Sequence, residues 1–231
     1  MLRTRTILPG IILIKTLREI KHLCYTNSMI YERIEEAIFK SRPNRLIAQV
    51  ETSRGMEICH VKNTGRCREL LVPEARIWVQ RNENPNRKTA LDLIAVDKAG
   101  TIINMDSQIP NKVVREWIES GHLFPAVTCV QQEKTYKNSR FDLYVETEDR
   151  KIFIEVKGVT LEENGVCRFP DAPSERAVKH VKELCEAQKE GSATYIFFVI
   201  QMSDVRYFTP HTDTHPVFAE VLKEATEKGV K

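Results

Sequence analysis

Six cysteines are scattered through the 231 residues, and no two of them form a C-x-x-C pair. That spacing argues against a zinc ribbon or a dithiol motif and fits reduced thiols in a cytoplasmic protein. No stretch approaches the roughly 18 uncharged apolar residues that a spanning helix needs, so no membrane partner is expected. Helix-turn-helix and other base-reading signatures are also missing, so no sequence preference is expected to be legible. A secretion signal is only mimicked: MLRTRTILPGIILIKTL has two arginines and an apolar run, but Pro9-Gly10 interrupts it and Lys15 ends it. No small-residue cleavage site follows. Residues 1–28 are therefore read as an N-terminal extension, either a translated upstream segment or a disordered arm, with Met29 as the true start.

What is present is the composition of a globular protein, 42% hydrophobic and 29% charged, enough for one large domain or two small ones. The formal net charge is only +3, but it is unevenly spread. Between positions 40 and 68 stand Lys40, Arg42, Arg45, Arg54, Lys62, Arg66 and Arg68, against Glu51 and Glu57 alone. A local basic region on a nearly neutral chain suits a surface that tracks phosphates, with a solvated face of mixed charge as the simpler alternative. Arg42, Arg45 and Arg66, with Asn63 of the polar loop NTGR, are the expected nucleic-acid contacts there.

Residues 29–104 read as a β domain with a leading helix. Ile30, Ile34, Ala37 and Ile38 share one helical face, with Glu32, Glu35 and Glu36 outside. Short alternating segments follow at 45–52, 56–61, 75–81, 88–96 and 101–104, separated by turn signals such as Ser53-Arg54-Gly55. Five short strands in so few residues fit a small barrel of the OB type, an architecture that often binds oligonucleotides.

From 105 to 231 the texture becomes mixed. Pro110 opens a helix over 111–120, strands follow at 126–131, 140–146 and 151–157, then a long connection over 158–173. Ser174 caps a helix to about 189, TYIFFVIQ is a strand covered on both faces, and an amphipathic helix closes the chain. The order is α-β-β-β-α-β, then α.

The centre of this half is residues 139–157, SRFDLYVETEDRKIFIEVK. Folded as a hairpin about 147–150, it sets Glu146 opposite Lys151 and Asp142 opposite Glu155, with Lys157 on the same side. Two opposed carboxylates repel, and a divalent cation with a preference for hard oxygen, Mg²⁺ or Mn²⁺, would compensate them. The alternative is an ordinary ion-paired polar face. Helices on both sides of the sheet would put that face in a cleft, where unpaired charge is costly and a metal or ligand gains weight. Arg176, Lys179 and His180 lie on one flank of the following helix, close to its N-terminus, where the helix dipole disfavours cations. That flank suits a phosphate, or equally a pairing with nearby acids. His211-x-Asp213-x-His215 looks like a metal clip but lacks further ligands, and Tyr207, Phe208 and Trp78 are read first as packing residues.

The hairpin followed by FPDAPSERAVKH resembles the sugar fermentation stimulation protein A (SfsA) family. Arg42-Pro-Asn-Arg45, His60 with Asn63-Thr-Gly65, Gln108 with Pro110-Asn111, Ser139-Arg-Phe-Asp142, Glu155-Val-Lys157 and Lys179-His180 carry the resemblance, over about residues 31–229. It implies a small OB-like β-barrel followed by a restriction-endonuclease-like domain related to the PD-(D/E)XK nucleases. Asp142, Glu155 and Lys157 then map onto the catalytic positions, and Glu116 onto an additional acidic, metal-holding one. It also implies a DNA-binding protein, regulatory in sugar metabolism, without establishing catalysis. Phe141 departs from the superfamily's proline, and Lys62, Pro173-Ser174, Ala177 and His215 depart from the family's usual residues, but none touches the three-residue site.

Three functions follow as expectations. The first is sequence-tolerant DNA binding through the basic barrel and the cleft. The second is a Mg²⁺- or Mn²⁺-dependent nuclease in which Asp142 and Glu155 hold the metal and Lys157 orients the attacking water. The third is recognition of a phosphorylated metabolite by Arg176 and Lys179.

Overall fold

The computed structural model describes residues 31–63 and 65–231, together with an N-terminal strand, β1 (Ile12–Lys15). Apart from that strand, the reading of 1–28 lies outside the described residues. The described chain divides into two units, with the change at Ile109 and Pro110 and with Gln201–Asp204 returning to the N-terminal unit.

The N-terminal unit is the OB-like barrel. Strands β2 (Ile34–Asn44), β3 (Ile47–Thr52), β4 (Gly55–Val61), β5 (Arg76–Arg81) and β6 (Leu91–Lys98) form a ring, and β7 (Thr101–Asn104) lies beside β6. The ring closes through a short parallel seam in which Cys59, His60 and Val61 face Leu91, Asp92 and Leu93. Strict alternation drives β3, where Ala48 and Val50 are buried and Gln49 and Glu51 are exposed. Glu57 on β4 is gripped by both arms of Arg81, at 3.0 and 2.7 Å, and that hydrogen bonding holds its carboxyl down at about 2.

The leading helix does not form. From Ile34 onward its residues are β2, paired to β3 on one edge and β5 on the other, and its first residues, 29 and 30, lie outside the described ones. Ala37 and Phe39 point inward while Glu36 is exposed, a period of two rather than 3.6. Apolar residues fall on both frames of this segment, so the helical stripe through Ile34, Ala37 and Ile38 was equally legible. Helix and strand propensities differ by less than about 1 kcal/mol per residue, and two flanking ladders plus the burial of Phe39 outweigh them.

The C-terminal unit is restriction-endonuclease-like. Helix α1 (Ile109–Glu119) leads into an antiparallel meander of β8 (Val127–Tyr136), β9 (Ser139–Thr147) and β10 (Lys151–Val159). The connection after β10 is not structureless: β11 (Leu161–Glu163) and β12 (Val166–Phe169) pair there. Then come α2 (Glu175–Lys189), β13 (Ala193–Ile200), β14 (Tyr207–Pro210), which completes a small sheet with β12, and α3 (Pro216–Glu227). The main sheet runs β1-β13-β10-β9-β8, with β13 parallel to both its neighbours.

The apolar run of β13 is covered on both faces. Phe197 meets Trp117 of α1 edge-on at 6.0 Å, while its neighbour Phe198 packs on Phe208 of β14 and Phe218 of α3. At the start of α2 the Ser174 hydroxyl accepts the Ala177 N–H at 3.2 Å, a cap worth about 1 kcal/mol. Among the described residues no helix is long and apolar enough to cross a membrane.

Candidate functional site

The β9–β10 hairpin has the expected register. Glu146 pairs with Lys151, Val145 with Ile152, Tyr144 with Phe153 and Leu143 with Ile154. The loop is tight because the Thr147 N–H donates to the Arg150 carbonyl and the Arg150 N–H donates to the Thr147 hydroxyl. One position beyond Leu143 the ladder opens, and the Asp142 side chain takes the place of a backbone partner. Its Oδ2 accepts the Val156 N–H at 2.8 Å, and its Oδ1 accepts from Asn111 of α1 at 2.9 Å. Burial first, and then the neighbouring Glu155 charge, push the Asp142 carboxyl above its ordinary range.

Glu155 is 2% exposed. Its Oε1 accepts from the Lys157 ammonium and from His180 Nδ1, the latter at 2.6 Å. Burial alone would favour the neutral acid, but Lys157 and His180 together outweigh it and hold the Glu155 carboxyl below its ordinary range. The two carboxylates are thus pushed in opposite directions by their surroundings, a frequent mark of a chemical site. Glu155 Oε2 is buried with no hydrogen-bond partner. A bare anionic oxygen beside a second carboxylate is a suitable donor set for a hard divalent cation.

Among the described residues no three His, Cys, Asp or Glu side chains converge as a complete metal cage. Glu116 is half-buried on α1 and belongs to no such group of three, and Asn111 of the same helix donates to Asp142. A cation would therefore take Asp142 and Glu155 from the protein and its remaining ligands from water or substrate, as Mg²⁺ commonly does.

Of the flank on α2, Arg176 and Lys179 are exposed and His180 is buried. Arg176 Nε donates to His180 Nε2 at 3.4 Å, which leaves Nδ1 to donate to Glu155. Lys179 reaches the Asn138 carbonyl at 2.7 Å. Phe141, the departure from the superfamily's proline, is fully buried and meets the His180 ring edge-on, so it helps to hold the imidazole. His180, expected on a phosphate flank, stands on Glu155 instead, and Asn111, given no role by charge or periodicity, stands on Asp142. For His180 the available signal was its place one turn after Arg176, and for Asn111 its place just inside a proline-led helix. In the His211–His215 segment, His215 is buried, accepts the Ser174 N–H and pairs with Glu175 at 3.5 Å.

In the barrel, a concavity of about 400 Å³ is lined by Arg42, Asn44, Arg45, Arg66, Arg68 and Leu71. Arg42 is spent on structure. Its guanidinium donates to the carbonyls of Gly65, Arg66, Arg45 and Asn63, at 2.6 to 3.0 Å. Asn63 is likewise local, its side chain accepting the Gly65 N–H at 2.8 Å. Arg45, Arg66 and Arg68 are exposed, and no carboxylate pairs with them among the described residues. Of the expected basic region, Lys40 pairs with Glu51 and Glu74 and Lys62 with Asp92 and Asp106, while Arg42 clips four backbone carbonyls together.

A sequence model of the sugar fermentation stimulation protein RE domain matches residues 108–231, and one of the SfsA N-terminal OB domain matches residues 41–105. The chain is 58% identical over 202 residues to a sugar fermentation stimulation protein homolog of Ruminiclostridium cellulolyticum, covering 87% of this chain and 89% of that one. A homolog from Desulfitobacterium hafniense is 55% identical over 203 residues, covering 88% and 89%. In three dimensions the chain is similar to the structure of Pyrococcus furiosus SfsA in complex with Ca²⁺, with a TM-score of 0.81, 29% identity and 88% of each chain covered.

Proposed function

The chain belongs to the sugar fermentation stimulation protein family, and from that premise we propose that it is a sequence-tolerant DNA-binding protein. The observation that carries this reading is the barrel concavity, where Arg45, Arg66 and Arg68 are exposed and, among the described residues, paired with no carboxylate. Arginines held without acidic partners are suited to phosphates, whose charge is the same for every sequence. In a titration of a labelled duplex across salt concentrations, affinity is expected to fall steeply. Replacing Arg45, Arg66 and Arg68 together by alanine is expected to reduce the magnitude of the log Kd against log salt slope by roughly three. An unchanged slope in the triple variant would remove the concavity from the interface.

A second reading, metal-dependent cleavage of the bound strand, is favoured by the bare Glu155 Oε2 beside Asp142. The Ca²⁺ complex of the Pyrococcus relative supports a divalent cation at the corresponding fold. Asp142 and Glu155 would hold Mg²⁺ or Mn²⁺, which supplies Lewis-acid polarisation of a phosphate oxygen. Lys157 stands on Glu155, where its ammonium can orient a water or meet negative charge developing on the phosphate. His180 holds Glu155 by one oxygen and so leaves the other to face the cation.

A further inference from the structure

Beside the carboxylates, between the start of β9 and the first turns of α2, lies an open groove of about 580 Å³. Ser139, Arg140, Arg176 and Lys179 line it, with Glu175 and His180. Three features of it bear on what it could hold. Ser139 is 6% exposed, and its hydroxyl is buried without a hydrogen-bond partner. Arg176 is exposed at the N-terminal turn of α2 and is paired with no carboxylate among the described residues. Glu175, the acid that lines the groove, is instead set against His215. An unmet donor, an uncompensated guanidinium and a helix N-terminus all favour the same kind of ligand, an anion rich in acceptor oxygens.

We propose that this groove is a phosphate subsite, distinct from Asp142 and Glu155, that takes a phosphodiester of the bound nucleic-acid strand. The proposal rests on the nucleic-acid-binding reading above and gives that reading a second point of contact in the C-terminal unit. His180 spans the interval: one ring nitrogen meets Glu155 and the other accepts from Arg176. The groove and the carboxylates are therefore a single imidazole apart, close enough for one strand to serve both. Arg176 is the charged grip and Ser139 the neutral donor.

The test is duplex binding by fluorescence anisotropy across salt concentrations, on the full chain, with folding of each variant checked by circular dichroism. Arg176→Gln is expected to weaken binding about tenfold and to lower the salt slope by about one. Ser139→Ala is expected to weaken it about threefold to tenfold with the slope unchanged, because a hydroxyl displaces no counterion. Wild-type Kd and slope in both variants would overturn the subsite while leaving the barrel arginines and the DNA-binding reading intact. A wild-type protein that fails to bind duplex would overturn that reading, and the subsite with it. In a parallel arm, inorganic phosphate is titrated by thermal shift. Stabilisation of the wild type but not of Arg176→Gln, with DNA binding equal in both, would assign the groove to a free phosphorylated compound and overturn the strand assignment.

Discussion

Glu155→Gln is expected to lower Mg²⁺- or Mn²⁺-dependent DNA cleavage by a factor on the order of a hundred to a thousand, the several kcal/mol that metal-assisted charge stabilisation contributes. The substitution keeps the side chain's shape but removes the charge that Lys157 and His180 both address through Oε1. It also turns the bare Oε2 into an amide or a neutral oxygen, a poor ligand for a hard cation. Asp142→Asn is the companion variant, because its retained oxygen can still accept the Val156 N–H that the carboxylate now holds at 2.8 Å. Alanine there would leave that amide without its partner and confuse loss of chemistry with loss of the strand. The measurement is incubation of purified protein with duplex and single-stranded DNA and with RNA, each with Mg²⁺ or Mn²⁺, alongside Mn²⁺ titration by calorimetry. Equal cleavage by wild type and both variants would sink the nuclease reading. Loss of Mn²⁺ binding in the variants of a protein that cuts nothing would leave a metal-assisted binding site.

Asp92→Ala is expected to destabilise the barrel by about 3–5 kcal/mol, the cost of removing one member of a buried ionic cluster. Asp92 is 1% exposed and sits on the seam that closes the ring, opposite His60. Its Oδ1 meets Arg87 at 2.5 Å and His60 at 3.2 Å, and its Oδ2 meets Lys62 at 3.2 Å and Asn82 at 3.1 Å. Lys62 also reaches the buried Asp106 at 3.2 Å, so the loss leaves a shared, largely buried ammonium with one carboxylate in place of two. Burial opposes ionisation of Asp92, but Lys62, Arg87 and His60 outweigh it and hold its carboxyl below the ordinary range. A depressed folded-state pKa stabilises the fold above the unfolded value and loses that effect as pH falls through the folded one. The stability gap between wild type and Asp92→Asn, measured by urea denaturation, should therefore be full at neutral pH and shrink in acid below about pH 4. A gap that stays constant into that range would mean that packing, rather than charge, is what Asp92 supplies.

The hairpin was legible on the condition of a four-residue loop at 147–150, since a slip of one residue there would have dissolved the pairing. Alternation in both arms and a polar loop between them fixed which residues face each other, and the four observed pairs agree with it. What alternation could not show was that the ladder stops at Leu143, because that depends on a side chain competing with the backbone for the Val156 N–H. Segment 34–44 was illegible for a different reason: two apolar periods coexist in it, and only the strands on either side decide between them. Charge marked out the basic region but could not say which of its cations are paired with acids, as Lys40 and Lys62 are, or which guanidiniums are free. That depends on carbonyls brought together by the fold, and Arg42 meets four of them. His180 was placed on the right flank of α2, yet its burial against Glu155 and Phe141 follows from the sheet beneath that helix.

Arg42 also changes how an alanine scan of this face should be interpreted. Its four acceptors belong to the β2–β3 turn and to the loop after β4, the two segments that present Arg45 and Arg66. Holding both in one arrangement means that the entropy of ordering them is met when the protein folds and not when DNA arrives. Arg42→Ala should therefore rank among the most damaging substitutions for affinity while leaving the counterion dependence almost unaltered, the signature of lost preorganisation. Substitution of the neighbours it aligns would show the opposite balance, a reduced salt slope first. The ratio of those two effects, residue by residue, would separate arginines that hold phosphates from one that holds the arginines.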